Sequence, residues 1–339
     1  MRKPKVLAVI AAAALTLTLA ACGGSGSSGT PGATSGKTLR LALNQTEAHP
    51  SYIALDNFGK RLATDTNDRW KVQVFPNETL GAQQEALQMV SNGSVDMAIV
   101  SGTQLENLNK DFRVLNMPMA FSSIDGQMKV IRDKSIVGDL FTSLEGNQHV
   151  TVLGGFTQGE RSVYTKFGPV KTPADLNGKK LRVQESDLMI AMAQAMGASA
   201  TPLAYGEVYT GLNSGVIDAA ENNEVSYFTQ KHFEVAPYFS NTKHLVGLDY
   251  LIINTDTLKK MSTEDRASFD KEWDAAMTEH TNLWQKSTEK AIADAKAGGA
   301  KFSDVDAAAF KSALEPLQAK FLTTDSQKAL WDKLQAAQK

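Results

Sequence analysis

The chain has 339 residues, 42% of them hydrophobic and 21% charged, with a formal charge of −2 and a single cysteine. A mildly acidic chain with mixed charges excludes the basic footprint of a nucleic-acid binder and a broad polybasic membrane surface, and one cysteine excludes an intrachain disulfide. About 300 residues remain once a leader is set aside, enough for two lobes with cores of their own.

The first residues set the compartment. Arg2, Lys3 and Lys5 precede an apolar run, Val6 to Leu19, that is too short and too rich in small residues for a comfortable membrane span. Leu19-Ala20-Ala21-Cys22 resembles the lipobox of bacterial lipoproteins. That resemblance implies a signal peptide over 1–21, cleavage before Cys22 and lipid on Cys22. The product is then extracytoplasmic and lipid-anchored to the cell membrane, on the periplasmic side where an outer membrane exists. Losing the three cations moves the formal charge from −2 to −5. Residues 22–37 are Gly/Ser-rich and read as a flexible tether. No later segment is apolar and long enough to span a bilayer.

The body alternates strands and helices. Thr38 to Asn44 reads as a first strand, a helix carries Leu55, Phe58 and Leu62, and Trp70 to Phe75 is a second strand stopped by Pro76-Asn77. Leu80 to Val90 is a second helix and Val95 to Val100 a third strand. This βαβαβ order predicts a mostly parallel sheet with crossover helices. Ligands in such sheets sit beyond the carboxyl ends of strands. Asn44, Glu47, His49 and Ser101 lie just past strand ends and are candidate cleft residues. Each has a plainer reading: Glu47 as a helix cap, His49 as the residue before a proline turn, Ser101-Gly102 as a turn.

Val150 to Phe156 opens a second βα series. In the strand Leu181-Arg182-Val183-Gln184, Leu181 and Val183 share one face and Arg182 and Gln184 the other. A helical pattern follows (Leu188, Met189, Met192, Met196), Gly197 breaks it, and Val216 to Asn223 closes the unit. An arginine on a polar strand face, met by amide and acidic side chains from another strand end, can clamp a small carboxylate, because its rigid fork matches the two oxygens. On pattern alone, a lone strand arginine is more often solvated surface. His244 to Asn254 is an apolar strand long enough to pass between two lobes. Ser262-Thr263-Glu264-Asp265 resembles a capping box. It starts a helix with Phe269, Trp273, Met277, His280 and Trp284 at three- and four-residue steps, running to about Ala297. That length predicts a backbone helix laid across both lobes, and its stripe, His280 included, reads as core. Two short helices near 304–316 and 324–338 finish the chain.

Several ordered motifs between about Leu39 and Phe321 carry a family resemblance. They are Phe75-Pro76 with Leu80-Gly81, Gly93-Ser94-Val95-Asp96-Met97, Met117-Pro118, Lys171 to Val183 (KTPADLNGKKLRV), Gly197 to Pro202 (GASATP), Glu207-Val208-Tyr209, and Gly215-Val216-Ile217-Asp218 with Glu221-Asn222. Together they resemble the solute-binding proteins of tripartite ATP-independent periplasmic (TRAP) transporters. The resemblance implies an α/β, two-lobed periplasmic-binding-protein-like fold, mostly parallel sheets with crossing strands and a long interlobe helix. The expected division places 38–157 and 248–285 in lobe I and 158–247 and 286–339 in lobe II. It also implies a monomer without cofactor, metal or catalysis, which captures a small carboxylate and delivers it to TRAP membrane permease subunits. Carried over by position, Arg182 pairs with the ligand carboxylate, Arg161 is a second basic group, Asn222 an amide donor near the same carboxylate, and Tyr205 an aromatic wall. His244, Asn44 and Ser101 are further lining positions. Where many members read Asp-Gly, this chain has Asp218-Ala219-Ala220, which is less free to adopt positive φ.

Gly159 to Tyr164, Glu221-Asn222-Asn223, Ser226-Tyr227 and His232 to Ala236 look like the branch that binds hexuronates such as D-glucuronate and D-galacturonate, with Glu224 where a proline is usual. A sugar acid needs one carboxylate clamp plus acceptors for its ring hydroxyls, which Glu47, His49, Gln83 and Gln184 can supply. A dicarboxylate or similar organic acid wants a second cationic clamp in the first lobe, and no Arg or Lys lies within 44–51 or 101–104. Two other classes remain open on sequence, a ligand-sensing receptor and a secreted sugar-acid enzyme. The enzyme has no nucleophile elbow, metal-spaced His pair or phosphate loop behind it.

Overall fold

The computed structural model describes residues 36–338; the expected signal peptide, Cys22 and the tether as far as Ser35 lie outside the described residues. The alternating stretches pair into one nine-stranded sheet: β1 (Lys37–Ala42), β2 (Trp70–Phe75), β3 (Met97–Ser101), β4 (Val150–Thr165), β5 (Lys180–Val183), β6 (Ser199–Pro202), β7 (Ala219–Asn222), β8 (Tyr238–Asn254) and β9 (Lys301–Ser303). The order is β2-β1-β3-β8-β4-β7-β5-β6, with β9 beside β8. The expected parallel βαβ units form the two flanks, β2-β1-β3 and β7-β5-β6. Between them, β8 and β4 run antiparallel to each other and to the strands they meet, β3 and β7. This is the two-lobed α/β architecture with crossing strands.

The crossing strands are 16 residues (β4) and 17 residues (β8) long. For β4 this corrects the sequence reading, which ends a strand at Phe156. Its pairing with β8 shifts register between Val152 and Gly155, Thr157 and Glu160, and Arg161 and Val163, and each shift inverts the alternation a sequence pattern relies on. Close packing at the crossing needs glycine. A Cβ on Gly155 would lie 2.4 Å from the Asp249 carbonyl oxygen, and Gly159, at φ 60°, would press 2.4 Å from the Trp284 Nε1.

The long helix spans Thr263–Ala297, 35 residues or about 52 Å. Ser262 Oγ caps it by accepting from the Asp265 N–H at 3.1 Å. Its stripe is core as read. Phe269 and Trp273 pack edge-on to Phe58, and His280 stacks on Phe156 at 4.1 Å. Phe269 joins the cluster of Leu39, Leu41 and Ile253, while Ala295 joins that of Tyr164, Ala220 and Phe239, so the helix covers one sheet face on both flanks.

Two local expectations change. Ala219 and Ala220 begin β7 and are fully buried with no positive φ; Gly215, at φ 80°, takes the left-handed turn instead. The C-terminal region holds β9 and three helices, Ala307–Leu314, Pro316–Phe321 and Asp325–Ala337, because Pro316 cannot continue a helix but starts one well. Among the described residues, no helix is long and apolar enough to cross a membrane.

Candidate ligand-binding site

The sheet topology fixes where the strand ends meet. β3 ends at Ser101, opposite Asp249 of β8, which is itself opposite Phe156 of β4. From the other direction β7 ends at Asn222, opposite Ser162 of β4. Two sets of carboxyl ends therefore converge on Thr157–Arg161 of β4 and the facing Leu245–Leu248 of β8. That window is where the topology places a ligand cleft.

Arg161 stands in it, 2% exposed, with all its donors engaged. Nε and Nη2 donate to the two carboxylate oxygens of Glu221 at 2.6 and 2.5 Å, Nη2 also to the Glu221 carbonyl, and Nη1 to Gln158 Oε1 and Asn222 Oδ1. A guanidinium has five N–H groups, so none is left over. His244 contacts the same carboxylate through Nε2 at 3.3 Å and Thr242 Oγ1 through Nδ1 at 2.9 Å. Burial would raise the Glu221 pKa, but Arg161 and His244 hold it down at about 2. Asn222 Oδ1 also accepts from the Asn223 backbone and side-chain amides, which leaves its Nδ2 as the group free to donate.

Arg182 differs. It is also 2% exposed, yet among the described residues it makes no ion pair. Nε and Nη2 donate to one carbonyl, Leu203 O, at 2.9 and 2.7 Å, and the rest of the fork has no protein partner. Burial pulls its pKa below the usual arginine value, opposed mainly by the field of Glu221. The Tyr205 ring lies 6.0 Å from the guanidinium, and burial pushes that phenol up to about 12. Arg182 and Tyr205 line a narrow recess with Glu78, Gln83, Gln104 and Gln184.

Contacts surround this recess, those of Ser101 with Gln184 and of Tyr205 with Gln45 bridging the flanks. Ser101 Oγ donates to Gln184 Oε1 at 3.1 Å, the Ser101 N–H to Gln83 Oε1 at 2.6 Å, and Tyr205 OH to Gln45 Oε1 at 3.2 Å. His49 is buried and caps the helix Pro50–Asp65 by accepting from the Ser51 N–H on Nδ1. Burial lowers its pKa to about 3, so the ring is neutral and its proton sits on Nε2, which has no protein partner. Asn44 Oδ1 is likewise buried without a partner. Glu47 is exposed and falls outside this buried set. Among the described residues, no group of three His, Cys, Asp or Glu side chains is placed to hold a metal.

Sequence reasoning missed Gln158, Asp249 and Gln45. Asp249 left a signal, a lone carboxylate inside the apolar run Leu248 to Ile253. Gln158 left none, because it lies within a register shift, between Thr157 and Glu160.

Residues 41–325 match the family model DctP, bacterial extracellular solute-binding protein, family 7. A solute-binding protein of Chromohalobacter salexigens is 33% identical over 276 residues, 81% of this chain and 82% of that protein. The 2,3-diketo-L-gulonate-binding periplasmic protein of Escherichia coli is 30% identical over 279 residues, 82% of this chain and 84% of that protein. A TRAP periplasmic solute-binding protein of Bradyrhizobium, solved with galacturonate, has a TM-score of 0.85 at 30% identity, covering 88% of this chain and 100% of that one. One of Anaerococcus prevotii, solved with glucuronate, has a TM-score of 0.85 at 32% identity, covering 88% and 97%. The chain belongs to the DctP family of bacterial extracellular solute-binding proteins, the binding components of TRAP transporters.

Proposed function

We propose that this protein captures a hexuronate, D-glucuronate or D-galacturonate, outside the cytoplasm and hands it to TRAP membrane permease subunits as a monomer. One observation carries the reading: among the described residues the buried Arg182 fork makes no ion pair, and its protein acceptor is a single carbonyl. A ligand carboxylate supplies the counter-charge in two parallel hydrogen bonds, with Asn222 Nδ2 donating alongside. Arg161 acts one step back, aiming Asn222 and Gln158, and His244 steadies Glu221. Gln83, Gln184, His49 and Asn44 face the ring hydroxyls, Ser101 ties the flanks together, and Tyr205 forms a wall. Residues 38–157 with 248–285, and 158–247 with 286–339, move as two lobes about the crossing of β4 and β8. Binding, not catalysis, is the role.

The test is a thermal-shift panel of protein denatured and refolded free of ligand, since ligand that binds the native state raises the melting temperature. A rise confined to hexuronates is expected. A rise with succinate or malate alone sinks the hexuronate reading, and no rise with any acid sinks the carboxylate reading.

Cys22 provides the lipid anchor in this reading. A Cys22→Ser variant is expected to leave the membrane fraction; one that still sediments with membranes shows that Cys22 is not the anchor.

A further inference from the structure

We propose that Asp249 selects the ligand: its free carboxylate oxygen accepts hydrogen bonds from ring hydroxyls and repels the second carboxylate of a dicarboxylate. The inference rests on the hexuronate reading and adds to it a residue that discriminates. Asp249 sits at the edge of the cleft window, level with Ser101 at the end of β3 and with Phe156. It projects from the same sheet face as Arg182. The neighbours of each, Leu248 and Tyr250 for Asp249, Leu181 and Val183 for Arg182, all belong to the core on the opposite face.

Its environment is that of a polar group held in place for use. It is 3% exposed, and Oδ1 accepts from Gln158 Nε2. Gln158 cannot turn its amide over, because its Oε1 accepts from Arg161 Nη1 at 2.6 Å. Gly247 leaves the room for this chain of contacts, since a Cβ there would lie 2.7 Å from Gln158 Oε1 and 3.0 Å from Arg161 Cδ. Arg161 has no donor left for Asp249, and Oδ2 has no hydrogen-bond partner among the described residues.

Burial pushes the Asp249 pKa up to about 6, with the Gln158 hydrogen bond and the Arg161 charge opposing, so the ionised group costs the fold stability at neutral pH. An apolar residue at this position of an apolar strand would cost less, and perturbed carboxylates in clefts mark functional sites. A carboxylate is acceptor-only. Hydroxyl donors satisfy it, whereas a second ligand carboxylate beside it is a like-charge contact.

The experiment is calorimetric titration of D-glucuronate, D-galacturonate, succinate and malate into wild type, Asp249→Asn and Asp249→Ser at pH 7.5, with the melting temperature of each unliganded protein. Asp249→Asn keeps the shape and the bond from Gln158. It is expected to weaken hexuronate binding at least tenfold, to narrow the preference over dicarboxylates, and to melt at the same or a higher temperature. Asp249→Ser should show the same loss of preference. Unchanged hexuronate affinity and preference in both variants overturn the inference. So does an equal loss for every acid with a lowered melting temperature, the signature of a structural residue. A wild type that binds no hexuronate, or binds succinate more tightly, overturns the hexuronate reading as well; a wild type that binds hexuronate with indifferent variants overturns this inference alone.

Discussion

Arg182→Ala is expected to abolish measurable hexuronate binding while the unliganded protein melts at or above the wild-type temperature. The two halves of this result share a cause. Arg182 is 2% exposed, and its protein partner is a single carbonyl, Leu203 O. A buried charge without an ionic partner destabilises the fold that holds it, so its removal relieves the unliganded state. The bound state gains the most from the same group. Two charge-assisted hydrogen bonds at about 1.5–3 kcal/mol each amount to about 3–6 kcal/mol, or roughly two to four orders of magnitude in Kd. Arg182→Lys separates charge from fork. An ammonium restores the charge without the paired donors, so its affinity should fall between wild type and the alanine variant. Calorimetric titration and differential scanning read the two effects independently. An alanine variant with unchanged Kd refutes the clamp, and one whose melting temperature collapses makes Arg182 structural.

The parts of this arrangement that the sequence could report are those set by local periodicity. Arg182 alternates with Leu181 and Val183 in a short regular strand, so its face was legible, though its lack of an ion-pair partner among the described residues was not. The long helix was legible end to end, because its stripe and the Ser262 cap are local patterns. β4 was not, since its three register shifts with β8 break the period on which a strand is recognised. What lies on it was hidden for the same reason. The motif around Arg161 marks a basic residue, but the saturation of its donors depends on Glu221, sixty positions away, and hence on how β4 and β7 pair. Glu47 shows the converse limit. It follows a strand end in sequence, yet the chain turns outward at Glu47 and Ala48 and both are exposed, a direction that proximity in sequence does not encode. Asp249 was visible as an exception to the hydrophobicity of its strand, but an exception names no role until the ends of β3 and β7 are seen to converge beside it.

Glu221→Gln should be among the most destabilising single substitutions in the chain. Both carboxylate oxygens are engaged, by Arg161 at 2.6 and 2.5 Å and by His244 at 3.3 Å, and neither Glu221 nor Arg161 is more than 2% exposed. Glutamine keeps the volume and removes the charge, leaving Asp249 as a carboxylate whose field still acts on the buried Arg161. Breaking a buried pair from one side costs about 3–5 kcal/mol, which equilibrium urea unfolding at pH 7 resolves. The pH dependence identifies the cause. The folded pKa of Glu221, about 2, lies below that of an unfolded glutamate, about 4.3. Its contribution is therefore fully present above about pH 4.3 and is lost as pH falls toward 2, roughly 3 kcal/mol in all. The gap between wild type and Glu221→Gln should stay constant from pH 7 to 5 and close below pH 4. A gap that persists at pH 2 assigns the loss to packing, and no gap at pH 7 means the pair contributes nothing. Replacing both partners, Arg161→Met with Glu221→Gln, removes the stranded charge and should recover much of the stability. It should not recover ligand binding, because Asn222 and Gln158 lose the guanidinium that aims them. Recovered stability without recovered affinity would separate what this ion pair does for the fold from what it does for the cleft.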